Sequence, residues 1–401
     1  MLHFFGLSAA PEILRRQWNA RAWMERVRKE RQKIRVINTD LLFSLPYTTV
    51  LKDEVQENDS PVQSKTLEKI IFTGPYNVSK TSSKLKKELQ PGEVEIKSLY
   101  SLISSGTELK IFKGMFGEAS LDVNIPEMAD ESMKYPLSYG YSLVGVVVRC
   151  GPDVPDANDI IGRHVFAFSP HSSRAILDRS SIHLVPNGIN PEDAIFFPSV
   201  ETALSIVHDA NIRIGENLAI FGQGIIGLLV TALLSKDQLN FKNRLFGSVT
   251  VFDTLSDRLA MASTMGSNQA LLPDQATNTE DFDVCIEVSG NFRALQSAID
   301  NTKTGGRIII GSWYGDSSGQ LRLGIDFHRS HKVIKTSQVS TIPAELSTLW
   351  SKERRFALTW ELVQILKPSR LITKKVTLDE AQLAYELLDK GKEIAIAFQY
   401  D

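Results

Sequence analysis

Apolar and polar positions along this chain keep three different rhythms. From residue 67 they alternate, in LEKIIFTG and GEVEIKSLYSLIS, then in LVGVVVRCG (143–151) and RHVFAF (163–168). Alternation of period two predicts half-buried antiparallel strands, and the Gly-Pro punctuation predicts turns between them. Residues 198–211, PSVETALSIVHDAN, have the spacing of a helix that bridges into a second part. There the apolar runs become continuous: 218–221, 249–252, 284–288, and 307–311 after the turn TKTGG. Short continuous runs alternating with helical stretches predict a parallel sheet covered on both faces. From Ile334 the rhythm stops. Helices are expected over 348–366 and 378–388, and KEIAIAFQY reads as a last strand returning to the first domain. The pattern divides the chain into an extension (1–66), a β-rich domain (67–200), a parallel-sheet domain (201–340) and a returning segment (341–401). A stretch without clear period, 112–136, is a long loop of the kind that serves a site or moves.

The stretch LAIFGQGIIGLLVTALLS (218–235) organises the second domain. It joins an apolar run to Gly222-x-Gly224-x-x-Gly227 and then to a helix. The first glycine allows the tight turn, the second lets the backbone approach a pyrophosphate, and the third lets helix pack on strand. The helix start supplies free N–H groups and partial positive charge. Downstream, SVTVF ends in Asp253, placed to accept hydrogen bonds from ribose hydroxyls. Its distance from Gly227 exceeds the usual ~20 residues, and the polar insert KDQLNFKNRLFG accounts for the excess. The same uncharged run is long enough to suggest a membrane span, but three glycines and Gln223 argue against one.

Composition narrows the picture by exclusion. The chain has 401 residues, 42% hydrophobic and 23% charged, with a net charge of −2. That length accommodates two cored domains, and the near-neutral balance gives no footprint for nucleic acid. Two cysteines, Cys150 and Cys285, form neither a disulfide framework nor a metal pair, and their apolar settings predict buried inert thiols. The first 66 residues stand apart. Nine basic residues against two acids fall between Arg15 and Arg35, with Leu14, Trp18 and Ala22 at helical spacing. An organelle presequence for plastid or mitochondrion has that character; a surface helix or a poorly ordered tail is the alternative, leaving the protein cytoplasmic.

Over residues 67–401 the order of parts resembles the medium-chain dehydrogenase/reductase superfamily. The matching text is SSGTELKIFKG, YPLSYGYSLVGVVVRCG, IGRHVFAF, PSVETA, GQGIIG and TKTGGRIIIG. The resemblance implies an α/β architecture, a GroES-like β-rich domain paired with a Rossmann doubly wound parallel sheet. It also implies NAD or NADP in the cleft between them, a small-molecule substrate, and a homodimer. SSGTE and PLSYGYSLVG look nearest to a zinc-lacking branch similar to the bacteriochlorophyllide hydroxyethyl dehydrogenases. Zinc members of the superfamily carry a Cys where this chain has Ser105, a Gly-His-Glu where it has Gly140-Tyr141-Ser142, and a third ligand near Pro198. Hydroxyls and a proline do not make the three N, S or O ligands a catalytic zinc requires, so no zinc is expected.

Without a metal another group must bond the reacting oxygen. The motif match places Tyr141, Thr107 and Ser105 at the nicotinamide end, Tyr141 as donor or general acid and the others as relay; Tyr141 as simple filler is the alternative. Glu108 is expected to orient neighbours or to brace an Arg or Lys. Trp313, Tyr314 and Phe327 follow the strand ending at Gly311 and are candidates for an apolar substrate wall, with His328 and Arg329 beside them. Cofactor contacts are expected from Gly222, Gly224, Gly227, Asp253 and Arg258. A carboxylate at Asp253 favours NAD, with NADP second. The activity expected is hydride transfer between nicotinamide and an alcohol or ketone, bulky ring alcohols included. A quinone or enone reductase using NADPH, and an inactive dinucleotide-binding pseudoenzyme, are the rival readings.

Overall fold

The structure, a computed structural model, describes residues 66–117, 133–235, 247–275, 281–324 and 326–401. The basic extension, the middle of the 112–136 stretch and the insert after residue 235 lie outside the described residues.

Alternation in the first part becomes antiparallel pairing. β1 (Thr66–Gly74) and β2 (Asn77–Lys84) form a hairpin. β3 (Glu93–Leu102) pairs with both β4 (Leu143–Cys150) and β6 (Arg174–Asp178), and β5 (His164–Ala167) lies between β4 and β7 (Ile182–Leu184). β2 escaped the sequence pattern because NVSKTSSK is polar nearly throughout; an exposed hairpin strand needs no apolar face.

In the second part six strands form one parallel sheet. They are β8 (Leu218–Phe221), β9 (Val249–Phe252), β10 (Gln269–Leu271), β11 (Phe282–Glu287), β12 (Thr302–Ile310) and β13 (Val333–Thr336). Their order is β10-β9-β8-β11-β12-β13, the doubly wound arrangement whose crevice opens at the carboxyl ends between β8 and β11. Both faces are covered. Leu218, Ile220, Val284 and Ile286 join one core, while Ala219, Phe221 and Cys285 join another. Burial pushes the Cys285 thiol up to about 12, which makes it inert. Two boundaries need correction. β12 begins at Thr302 and absorbs the expected turn TKTGG, and β13 carries the parallel rhythm on to Thr336.

The last strands, β14 (Ile372–Val376) and β15 (Ala395–Gln399), close the first sheet: β15 pairs antiparallel with β3. Ten helices link the described parts: α1 (Thr107–Lys113), α2 (Ala157–Ile160), α3 (Pro191–Ala194), α4 (Phe197–Ala210), α5 (Ile225–Leu233), α6 (Ser256–Thr264), α7 (Phe292–Asn301), α8 (Asp326–Arg329), α9 (Lys352–Leu366) and α10 (Ala381–Asp389). α4 ties the two sheets together. Its Val200, Leu204 and Ile206 share one core with Leu102, Val144 and Phe166 on one side and Ile220, Val251 and Ile286 on the other. At ~1.5–3 kcal/mol for each large apolar side chain buried, that shared core holds the sheets in fixed relation. Among the described residues no helix is long and apolar enough to cross a membrane; the uncharged run 218–235 divides into β8, the glycine turn and α5.

Candidate functional site

The glycine turn is built as its spacing requires. Gly222 has φ +99°, and a Cβ there would lie 2.8 Å from the Ser289 backbone. A Cβ on Gly227 would lie 1.9 Å from the Gly222 carbonyl oxygen, so helix and turn touch only because that side chain is missing. Gly224, the residue before α5, faces open space, with nothing within 4 Å of an added Cβ. The first-turn N–H groups of α5 have no carbonyl of their own helix to bond. A backbone that is clear at Gly224 and rich in free donors fits a pyrophosphate. Gln223 is fully buried; its backbone N–H donates to Asp253 Oδ2 at 2.6 Å, and its side chain accepts from Thr231 at 3.0 Å.

Asp253 therefore has a structural task at the point where it is expected to meet ribose. Oδ2 accepts from Gln223 and Oδ1 accepts from the Leu255 N–H at 2.9 Å. Each carboxylate oxygen has a second lone pair, on a side chain only 5% exposed. Arg258 Nη1 stands 4.0 Å from Asp253 Oδ2, and Arg258 Nε is buried without a hydrogen-bond partner.

One group on this edge was missed in the sequence. Glu287, buried at the end of β11, accepts from Ser289 N, Ser289 Oγ and Gly290 N at 2.6–2.9 Å, and from the Tyr314 hydroxyl at 2.8 Å. It shapes the turn that touches Gly222. A carboxylate inside the apolar run VCIEV was the available signal, since a buried charge there must find donors. Tyr314 is thus packed, its phenol pushed up by burial and by Glu287, while Trp313 is 40% exposed. Phe327 packs on the core of the sheet's other face, and His328 and Arg329 are exposed on α8.

The first sheet meets this edge through α1. A Cβ on Gly315 would lie 2.1 Å from the Met115 carbonyl oxygen and 3.4 Å from Lys110 Cδ. The loop leaving α1 therefore rests on the loop leaving β12, beside the carboxyl ends of the parallel strands. Glu108, Ile111 and Phe112 form the buried face of α1, and Thr107 and Lys110 are half-buried. Burial, with Lys113 nearby, draws the Lys110 amine below its ordinary value.

The expected trio is found around the start of α1. Ser105 and Thr107 flank the start of α1, both half-buried. The Tyr141 hydroxyl donates to Ser104 Oγ, a residue the sequence reading passed over in favour of its neighbours Ser105 and Thr107. Behind this pair lies a set of buried polar groups that spacing alone does not reveal. Glu108 Oε1 accepts from the Ser104 N–H at 2.8 Å; Glu108 Oε2 accepts from His171 Nε2 at 2.9 Å and from the Tyr385 hydroxyl. His171 Nδ1 lies 2.7 Å from Ser101 Oγ, which lies 2.7 Å from the Tyr400 hydroxyl. Glu108 thus braces a histidine and a tyrosine, where an Arg or Lys was among the partners expected.

The donor set at the positions of the superfamily's zinc ligands is poor. Ser142 Oγ donates to the Ile195 carbonyl, and the Pro198 carbonyl accepts from Thr202 at 2.8 Å. Among the described residues no three of His, Cys, Asp and Glu gather closely enough to hold a metal ion.

Comparison with known proteins agrees with this architecture. No model of a protein family matches the chain. D-guloside 3-dehydrogenase of Escherichia coli (strain K12) is 26% identical over 357 residues, covering 82% of this chain and 98% of that protein. The crystal structure of 2R,3R-butanediol dehydrogenase from Bacillus subtilis superposes with a TM-score of 0.66 at 19% identity, over 84% of this chain and all of the other. A dehydrogenase from Sinorhizobium meliloti 1021, described as zinc-binding and solved with NADP, gives 0.63 at 16%, over 83% and 99%. The fold is that of the medium-chain dehydrogenases, a GroES-like and a Rossmann part. The chain is an enzyme, an NAD(P)-dependent dehydrogenase.

Proposed function

We propose that this protein is a zinc-independent, NAD-preferring dehydrogenase that oxidises a secondary hydroxyl, on a sugar ring or a similarly bulky alcohol, to a ketone. The observation that carries the reading is the meeting of α1 with the loop after β12. Gly315, in the loop after β12, rests on Met115 and Lys110, which supports a cleft between the α1 segment and the carboxyl edge of the parallel strands. The relative named for position 3 of a D-guloside supports a ring alcohol. Nicotinamide, when bound, supplies the hydride acceptor. Tyr141 hydrogen-bonds the reacting oxygen and exchanges its proton, with Ser104 Oγ next in line and Ser105 and Thr107 at the rim. Gly222, Gly224 and Gly227 seat the pyrophosphate, and Asp253 with Arg258 holds the adenosine ribose. The serine, tyrosine and proline at the ligand positions support a reaction without zinc. The divisions at residues 66, 200 and 340 fit a β-rich domain, a nucleotide domain and a returning segment. The exposed Val333 on edge strand β13 supports a homodimer.

The test is NADH formation from NAD with a panel of methyl D-hexopyranosides, before and after dialysis against a chelator, with Tyr141→Phe alongside. Turnover that survives chelation and falls ~10²-fold or more in Y141F is expected, the range of general acid–base catalysis. Loss of turnover on chelation overturns zinc independence, and an unchanged Y141F rate makes Tyr141 filler. NADPH consumption with quinones or enals, without alcohol oxidation, replaces the dehydrogenase by a reductase.

A further inference from the structure

The buried polar groups behind Tyr141 carry one more assignment. Ser101, Glu108, His171 and Tyr385 are buried, and Glu108 and His171 have no exposed surface at all. They come from β3, α1, the loop before β6, and α10, with Tyr400 from the chain's end. Four parts of the first sheet therefore converge on one carboxylate. Burying such a group is expensive unless every donor and acceptor is matched.

The match fixes a direction. A carboxylate only accepts, so the Glu108–His171 contact puts the proton on Nε2 and leaves Nδ1 to accept from Ser101, and Tyr400 in turn donates to Ser101 Oγ. Ser101 then donates to His171 Nδ1, and His171 Nε2–H donates to Glu108 Oε2. Tyr385 and the Ser104 N–H donate to the same carboxylate. Every donor runs toward Glu108, and the inventory of groups assigns His171 the Nε2–H tautomer.

Two of these links touch the reacting pair. Glu108 holds the backbone of Ser104. His171 packs beneath Gly140, where an added Cβ would lie 2.8 Å from its Cδ2 and where φ is +131°. Gly140 precedes Tyr141, and Tyr141 donates to Ser104. Both ends of that contact thus lean on one buried hydrogen-bonded pair, Glu108 and His171. We propose that Glu108 and His171 are positioning residues, which hold Ser104 and Tyr141 in register without touching substrate. The proposal rests on the reading of Tyr141 as the group at the reacting oxygen.

Glu108→Gln tests it in the full chain. The amide keeps an acceptor for Ser104 but turns a donor toward His171, so the chain of hydrogen bonds must reverse. Three readouts are taken: kcat and KM on the methyl hexopyranoside that the wild type oxidises, the NADH dissociation constant, and the ring-nitrogen NMR spectrum of His171, identified by its loss in His171→Gln. A fall in kcat of ~10- to 100-fold is expected, since a misplacement of about 1 Å costs up to ~10². KM and NADH affinity should stay within ~2-fold because the glycine turn lies in the other sheet. His171 should be Nε2–H in the wild type and Nδ1–H in E108Q. An unchanged kcat with a reversed tautomer overturns the positioning role, and Nδ1–H in the wild type overturns the donor chain itself. If E108Q does not fold, Tyr385→Phe takes its place; it removes one donor without reversing the others, and a kcat equal to wild type then counts against the proposal. If the wild type oxidises no alcohol, the proposed function fails by that result alone. The wild-type tautomer, with deuterium uptake at residues 138–143 in E108Q, still decides the geometry: raised uptake supports it and unchanged uptake overturns it.

Discussion

At the carboxyl edge of the parallel sheet the groups proposed to face a dinucleotide are mostly backbone: the open path at Gly224, the free N–H groups of α5, and a turn held by Asp253 and Glu287. Around Tyr141 in the antiparallel sheet they are side chains, Ser104, Glu108, His171 and Tyr385, brought together from distant parts of the chain. A backbone seat depends on which residues lack a side chain, so it is written as a short spacing. A side-chain site depends on which strands pair, so its members are scattered over almost three hundred positions. The first region is tolerant of what surrounds it and intolerant of a methyl group; the second is the reverse.

The sharpest way to break that contrast is within the turn itself. Gly227→Ala sets a methyl against the Gly222 carbonyl, and the backbone must move. A loss of ~3 kcal/mol or more in urea unfolding, with NADH binding abolished, is expected for such overpacking. Gly224→Ala meets nothing in the protein, so its melting temperature should match wild type while NADH affinity falls ~10-fold, about 1.4 kcal/mol. Equal NADH affinity in G224A would mean that the pyrophosphate is not seated there.

Asp253→Asn is expected to have a smaller effect. It keeps one acceptor for the two N–H groups and removes the charge that repels a 2′-phosphate. The ratio of NADPH to NADH affinity should rise ~10-fold in fluorescence titrations. An unchanged ratio would leave Asp253 with only its structural bonds to Gln223 and Leu255.

The smallest effect is expected on α4. Burial, with Arg355 adding repulsion, holds the His208 imidazole on α4 below its ordinary 6.5, against the ring of Trp350 at 4.3 Å. As pH falls below that ordinary value the unfolded chain binds a proton the folded chain refuses, so stability declines until the lower folded value is reached. His208→Gln should flatten the difference in urea midpoint between pH 7.5 and 5.5 by the equivalent of ~1 kcal/mol or less. An identical slope in H208Q would assign the acid loss to other groups.

Pattern and spacing made much of the parallel sheet legible: continuous apolar runs, the glycine triplet and the acid after the second strand are local signals. They misjudged β12 and β13, because a strand that starts with TKTGG or shows an exposed Val333 has no distinctive period. The same reading reached Tyr141, Ser105 and Thr107 but passed over Ser104, since adjacency in sequence says nothing about which way each hydroxyl points at the start of α1. Glu287 was within reach as a lone charge in an apolar run. His171, Tyr385 and Tyr400 were not, for SPHSS and AQLAYELLD look like ordinary loop and helix.

What the amino-acid sequence determined by itself is the set of elements and the nucleotide turn, because hydrophobic period and missing side chains act over a few residues. Only the tertiary structure decided that β15 lies beside β3, bringing Tyr400 to Ser101, and that α1 rests on the loop after β12. Those contacts follow from long-range burial, and a buried carboxylate such as Glu108 selects its partners only once the segments that carry them have packed.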